Sequence, residues 1–488
     1  MSGTKGLPKG WVWAQLDEVA NVNPPKSSPN VTADELFNFV PMRAVIEEFG
    51  GIDVSMTRPF SEVQRGYTQF QTGDILSAKI TPCMENGKIA VVPPLRQSVA
   101  YGSTEFHVLR PHNGIEPRWI AHYLFQSNFR RNAQRNMSGS AGQLRVPKPW
   151  LKLQRIPVAP PNEQRRIVAK LEELFSDLDA GVAALERARA NLKRYRAAVL
   201  KAAVEGKLTA AWREQQPDVE PASELLKRIL VERRQKWEAD QLAKYEAKGK
   251  KPPKGWKAKY KEPAAPDTAG LPELPDGWCW VTLPQVGLID RGRSRNRPRN
   301  AKHLYGGPYP FIQTGEVRRS NTFIKEFEKT YSESGLAQSR LWPKGTLCIT
   351  IAANIAETAI LDFDGCFPDS VVGFVGDANQ VSVRYLEIYL RTMQKRLEIL
   401  APATAQKNLN LETLNAVAVA FPPLKEQFQI VEEVDLRLSI VDSIESEVDK
   451  HLVRSSRLRQ SVLKRAFQGN LVRQDTADKP AAAFVGQG

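Results

Sequence analysis

LPKGWVWAQLDEV, Leu7 to Val19, returns as LPDGWCWVTLPQV, Leu274 to Val286. PPNEQRRIV, Pro160 to Val168, returns as PPLKEQFQIV, Pro422 to Val431, and YRAAVLKAAVEGKL, Tyr195 to Leu208, returns as LRQSVLKRAFQGNL, Leu458 to Leu471. The first pair is offset by 267 positions and the last by 263, so the copies differ inside by small insertions and deletions. One long unit is written twice on a shared frame, with interiors that diverge.

Between the repeated motifs lie two stretches of mixed α/β character. In the first, Phe37 to Val40, Asp74 to Lys79 and Lys88 to Val92 read as strands between Gly, Pro and Asn turn signals, and Ile120 to Gln134 reads as a helix. In the second, FIQTGEV (Phe311 to Val317) stands where FVPMRAV (Phe39 to Val45) stood, and GTLCITI (Gly345 to Ile351) where GDILSAK stood. YLEIYLRTMQKRLEIL takes the place of the first helix. The expected class is α+β, with one fold used twice.

Each stretch leads into a heptad helix. Leu171, Leu178, Leu185, Leu192 and Val199 recur every seven residues, and Ile167, Leu174, Ala188, Tyr195 and Ala202 form the second series, broken at Gly181. In the copy, Val434, Val441, Val448, Ser455 and Val462 run beside Ile430, Arg437, Ile444, His451 and Leu458. A helix of roughly 40 residues spans about 60 Å, too long to be packed by one small domain, so each seam needs a helical partner. Antiparallel pairing within the chain would place the two domains at opposite ends with an approximate two-fold relation; the alternative is pairing between two copies. Pro160–Pro161 and Pro422–Pro423 precede the helices, and Gly206 and Gly469 suit left-handed caps at their ends.

The organisation is therefore 1–158 first α/β domain, 159–209 first long helix, 210–271 connector, 272–420 second α/β domain, 421–474 second long helix and 475–488 a tail expected to be disordered. In the connector, Ala222 to Lys248 has helical periodicity, whereas Gly249 to Gly270 is Lys- and Pro-rich and expected to be extended or flexible. Its lysines either touch nucleic acid or stay solvated.

Composition narrows the partners. The 488 residues are 42% hydrophobic and carry a formal net charge of +15, which favours a polyanion such as DNA or RNA. No run of 18 or more apolar residues occurs and the N-terminus has no apolar signal core, so no membrane is expected and the cytoplasm is the expected compartment. Cys83, Cys279, Cys348 and Cys366 are scattered, without zinc spacing or a disulfide pattern, and read as four buried thiols.

Catalytic signatures are missing. NPPK, Asn23 to Lys26, shares its first residues with the loop by which adenine methyltransferases hold the target amine, but lacks the stacking aromatic and reads as a turn. Neither GxxxxGK[ST] nor GxSxG occurs, no nuclease spacing is clear, and the five histidines are dispersed. No catalytic residue, metal or bound cofactor is expected in this chain.

Recognition remains. Arg291, Arg293, Arg295, Arg297 and Arg299 alternate through RGRSRNRPRN, a pattern suited to phosphate contact and to bidentate pairing with guanine. The comparable first-copy stretch is far less basic, so the two halves should read different sequences. Further candidate DNA contacts lie near the paired turns: Lys26, Arg43, Lys79, Thr81, Lys88, Gln143, Arg145 and Lys148 in the first copy, and Asn354, Gln406, Lys407 and Asn408 in the second. Amides can read adenine edges and arginines guanine edges. Trp11, Trp13, Trp278 and Trp280 repeat too faithfully to read sequence and are assigned to the core.

Two units opened by LPxGWxWxxLxxV and closed by PP, one or two residues and EQxxIV, with heptad helices ending in VLKxAxxGxL, resemble the specificity subunit of type I restriction-modification enzymes. The likeness covers about residues 7–475. It implies two target recognition domains, each reading half of a split, asymmetric site in double-stranded DNA, separated by an antiparallel coiled coil with pseudo-two-fold repetition. It also implies docking of two methyltransferase subunits, which carry S-adenosylmethionine and methylate adenine, and two motor-nuclease subunits that complete the restricting assembly. Glu163, Gln164, Glu426 and Gln427, at the helix starts, are the expected partner-docking residues. The rival reading is a coiled-coil scaffold, or a nucleic-acid binder without sequence specificity.

Overall fold

The computed structural model describes residues 6–140, 142–295, 298, 301–352, 354–400 and 408–486. The chain forms two compact units, residues 1–187 with 448–488, and residues 188–447. Each contains one α/β domain and parts of both long helices.

The repeated motifs close each domain on itself. Val12–Gln15 pairs antiparallel with Arg155–Val158, and Cys279–Thr282 pairs with Ala418–Phe421, so the beginning and end of each domain share a two-stranded ribbon. Within the first domain the main sheet has the order Ala20–Val22, Phe106–Pro111, Ile75–Ala78, Ile89–Val91. The second domain repeats that order as Leu288–Arg291, Val371–Val375, Leu347–Thr350, Thr358–Leu361 and adds Phe323–Ile324 in parallel at the edge. Ile75–Ala78 and Leu347–Thr350 are buried throughout, as their short apolar runs require of central strands.

The second layers differ. In the first domain it is a four-stranded sheet in which Leu36–Val40 runs parallel to Ala100–Gly102; in the second it is the pair Tyr305–Phe311 and Lys329–Tyr331. The helix expected over 120–134 is two, Pro117–Leu124 and Ser127–Arg135, whereas its copy Val383–Leu400 is continuous. Gln460 accounts for the break: its side-chain oxygen accepts from the Ser127 amide at 2.8 Å and its amide donates to the Phe125 carbonyl at 3.3 Å.

The long helices span Pro161–Val204 and Leu424–Ala466. In the second unit Arg196 pairs with Asp442 and, at 3.0 Å, with Glu445, and farther on Arg213 reaches Glu426 at 2.6 Å. Rising numbers meet falling ones, so the segments run antiparallel. In the first unit Asp179 pairs with Arg459 and Arg166 with Asp478, again antiparallel. Arg196 and Arg459 stand 263 positions apart, as do Asp179 and Asp442, so one ion pair is built twice in one register.

The first heptad series lies in the seam, and of the second Ile167, Ala188 and Ile430 do as well, but at several other positions the following residue is the more buried. Phe175, Arg196 and Ala203 turn inward instead of Leu174, Tyr195 and Ala202, and Leu438 and Arg459 replace Arg437 and Leu458. Gly206 and Gly469 cap the helices with φ of 68° and 71°.

In the linking segments the connector helix stands as expected, and the expectation for the tail is corrected. The connector forms the helix Ala222–Glu246, and the Lys- and Pro-rich stretch lies against it: Trp256 stacks on Trp237 at 5.9 Å, and Lys257 pairs with Glu238 at 2.7 Å. The tail is ordered through its 3₁₀ turn Ala481–Ala483. The Ala481 amide donates to the Gly10 carbonyl at 2.9 Å, as the Ala222 amide donates to Gly277 at 2.8 Å. Pro480–Ala481 therefore repeats Pro221–Ala222, a fourth echo hidden by its brevity, and the tail closes the first domain as the connector helix closes the second.

Among the described residues no helix is long and apolar enough to cross a membrane. Cys348 and Cys366 are buried, while Cys83 and Cys279 are only partly covered.

Candidate nucleic-acid interface

The shared skeleton brings the variable residues of each domain to one edge of its main sheet. Ala20–Val22 and Ile75–Ala78 both lie antiparallel to Phe106–Pro111, so their C-terminal ends emerge together. There the chain turns at Asn23, whose φ of 52° suits asparagine. Its side-chain oxygen accepts from the Val108 amide at 2.8 Å and its amide donates to His107 Nδ1 at 3.1 Å. NPPK is thus a turn, and it carries the exposed Lys26.

At the same edge Ile80 bridges to Arg145, the Thr81 amide donates to the Leu144 carbonyl and the Val146 amide to the Lys79 carbonyl. Lys79, Thr81, Gln143, Arg145 and Lys148 are therefore neighbours around Glu105 and His107. His107 Nε2 donates to the Val146 carbonyl at 2.8 Å, which together with the Asn23 bond fixes a neutral ring. Burial, aided by the cations Lys79 and Lys148, lowers its pKa to about 4. Thr81 donates to Glu85 at 2.6 Å. Lys88 and Arg43 lie apart from this group: Lys88 donates to the Met42 carbonyl at 3.4 Å, beside the exposed Arg43.

The second domain builds the same edge with other chemistry. Ala352 bridges to Asn408 as Ile80 bridges to Arg145, and Leu288–Arg291 ends beside Leu347–Thr350 across Val371–Val375. Arg291 is exposed there. Arg293 follows it and pairs with Asp290 at 3.5 Å, while the Arg295 amide donates to the Gln338 side chain. Asn354 accepts from Arg318 at 3.1 Å, a partner that sequence reasoning missed because it lies on the separate helix Thr314–Arg319. Arg297, Arg299, Gln406 and Lys407 lie outside the described residues.

The four expected docking residues face inward instead. Glu163 accepts from the Trp11 indole at 3.0 Å, and Glu426 from the Trp278 indole at 2.9 Å. Gln164 accepts from the Glu116 amide at 2.9 Å and donates to the Ala159 carbonyl at 2.7 Å; Gln427 repeats this with Ser382 at 2.8 Å and Pro422 at 2.9 Å. All four side chains are buried, and their bonds to the domain bodies explain why the tryptophan and EQ motifs recur together. Glu426 also takes Thr209 and Arg213, whereas one oxygen of Glu163 has no partner among the described residues, and burial raises the Glu163 pKa. Trp13, assigned to the core, is instead half-exposed beneath the Arg155 guanidinium, since alternate residues of a ribbon strand face outward.

Two similar domains, joined by long helices and presenting the same sheet edge with different side chains, define a modular sequence reader. The Type I restriction modification DNA specificity domain matches residues 8–187 and again 275–448, and the chain belongs to that family. It is 27% identical to the type I restriction enzyme EcoEI specificity subunit of Escherichia coli, over 91% of this chain and 80% of that one. It is 29% identical to the Escherichia coli EcoAI specificity subunit, over 88% and 77%. The fold is similar to that of the HsdS subunit from Thermoanaerobacter tengcongensis, with a TM-score of 0.59 at 21% identity over 96% of this chain and 99% of that one. A chain solved in work on the assembly and conformational transition of the type I R-M system gives 0.63 at 22%, over 95% and 99%. The chain is a type I specificity subunit, whose work is DNA sequence recognition within a restriction-modification complex.

Proposed function

We propose that the sheet edge of each domain reads one half of a bipartite, asymmetric site in double-stranded DNA. The observation that supports this is one skeleton carrying two chemistries: Lys79, Glu105 and Arg145 in the first domain occupy the places of Ile351, Ser370 and Asn408 in the second. Lys26, Lys148 and the exposed arginine at 291 add phosphate affinity that falls steeply with salt. The long helices set the gap between half-sites and dock two methyltransferase subunits through exposed faces rather than through the buried EQ pairs. Those subunits carry S-adenosylmethionine and flip the target adenines; two motor-nuclease subunits complete the restricting assembly in the cytoplasm.

The test is selection from a random duplex library by the chain reconstituted with its methyltransferase subunits. A bipartite motif of fixed gap is expected, and exchange of residues 20–155 with those of another family member should alter one half only. Enrichment of no motif, or alteration of both halves, would refute the reading. S-adenosylmethionine should bind the reconstituted complex and not the isolated chain.

A further inference from the structure

Arg145 is held in place from every side but one. Its amide donates to the Ser138 carbonyl at 2.9 Å and its own carbonyl accepts from Ser138 at 3.0 Å, which with the bridge to Ile80 pins the backbone between a turn and the sheet edge. Nε and Nη2 donate to the two oxygens of Glu105, each at 2.9 Å, and Nη1 donates to the Gln143 carbonyl at 2.9 Å. A guanidinium has five N–H groups. One remains on each terminal nitrogen, and the side chain is 39% exposed.

We infer that Arg145 reads a guanine in the half-site of the first domain, with Glu105 as its positioning residue. Two parallel donors on a rigid planar fork match the adjacent O6 and N7 acceptors of guanine in the major groove, a pattern no other base presents there. A carboxylate gripping the opposite edge aims the fork and removes the conformational freedom that a free arginine would lose on binding. Glu105 is ionised for this role, its carboxyl held below the usual range first of all by its hydrogen bond to Arg145. Among the described residues the second domain has no such device at the equivalent place, where Ser370 and Asn408 are neutral. The inference rests on the proposed reading of DNA by these edges.

The experiment compares motifs selected by the reconstituted methyltransferase complex carrying the native chain, Arg145→Ala, Arg145→Lys, Glu105→Ala and Glu105→Gln. The native motif should contain guanine at one position that Arg145→Ala relaxes, with preference falling about 5- to 150-fold while the gap and other half-site persist. Arg145→Lys keeps the charge but not the fork and should relax the same position, which also decides the matter if the alanine variant does not fold. Glu105→Ala should weaken preference at that position, and Glu105→Gln, which retains one acceptor, should weaken it less. Uniform loss across all sequences would make Arg145 a phosphate contact and overturn the inference. So would Glu105 variants that shift the melting temperature but leave the base preference intact. A native complex that yields no bipartite motif defeats the functional reading itself; a native motif unmoved by the Arg145 variants defeats only this inference.

Discussion

Mild acid should loosen the first unit selectively, because two of its histidines are buried as neutral rings. His122 lies among Phe49, Phe125 and Phe175, neither ring nitrogen has a hydrogen-bond partner among the described residues, and burial, with Arg118 nearby, lowers its pKa to about 3. His107 is held at about 4. An unfolded histidine titrates near 6.5, so between those values the unfolded chain binds more protons and stability falls with falling pH. From about pH 7 to about pH 5 each residue should remove ~2 kcal/mol, or ~4 together if they act independently. The buried Glu163 and Glu387 work in the opposite sense: their raised pKa values add stability below the folded value, and it is lost as pH rises. The second unit contains His303 alone, which is exposed. Hydrogen exchange at matched intrinsic rates should therefore show Pro117–Leu124 deprotected at the lower pH and Val383–Leu400 unchanged or better protected. Urea denaturation of His122→Leu should lose ~2 kcal/mol of this pH dependence; a variant with the dependence of the native chain would refute the reasoning.

The paired carboxylates should respond unequally. Glu426→Gln disrupts a buried pair with Arg213 and should cost ~3 kcal/mol or more. Glu163→Gln, at a carboxylate already poorly satisfied, should cost ~1 kcal/mol or less, as read by denaturant midpoints and local exchange. Removal of residues 476–488 strips the Ala481 contact with Gly10 and the Asp478 partner of Arg166. It should lower stability by ~1–3 kcal/mol and expose Trp11 to fluorescence quenchers, leaving Trp278 shielded; an unchanged midpoint would mean the tail closes nothing.

Legibility followed the physics of each feature. The doubled order, the heptad helices and the glycine caps were readable because they depend on periodicity and local backbone conformation. The role of Glu163 and Glu426 was not: a carboxylate at a helix start reads as surface charge until the indole donor, distant in sequence, is folded onto it. Arg318 and Glu105 were overlooked for the same reason, since each gains meaning only from Asn354 and Arg145 across the fold. The local shifts in the second seam series, as at Phe175 and Leu438, escaped a strict seven-residue count because packing against the facing helix decides which neighbour turns inward.

The sequence by itself determined that one frame is used twice, that the frame joins α/β domains to long helices, and that its divergent interiors carry basic and amide side chains suited to DNA. Only the tertiary structure decided which of these meet at one sheet edge, which acids turn inward to brace the frame, and that the tail closes a domain. Periodicity is a property of neighbours in the chain, whereas burial and pairing belong to residues brought together by strand register and helix packing.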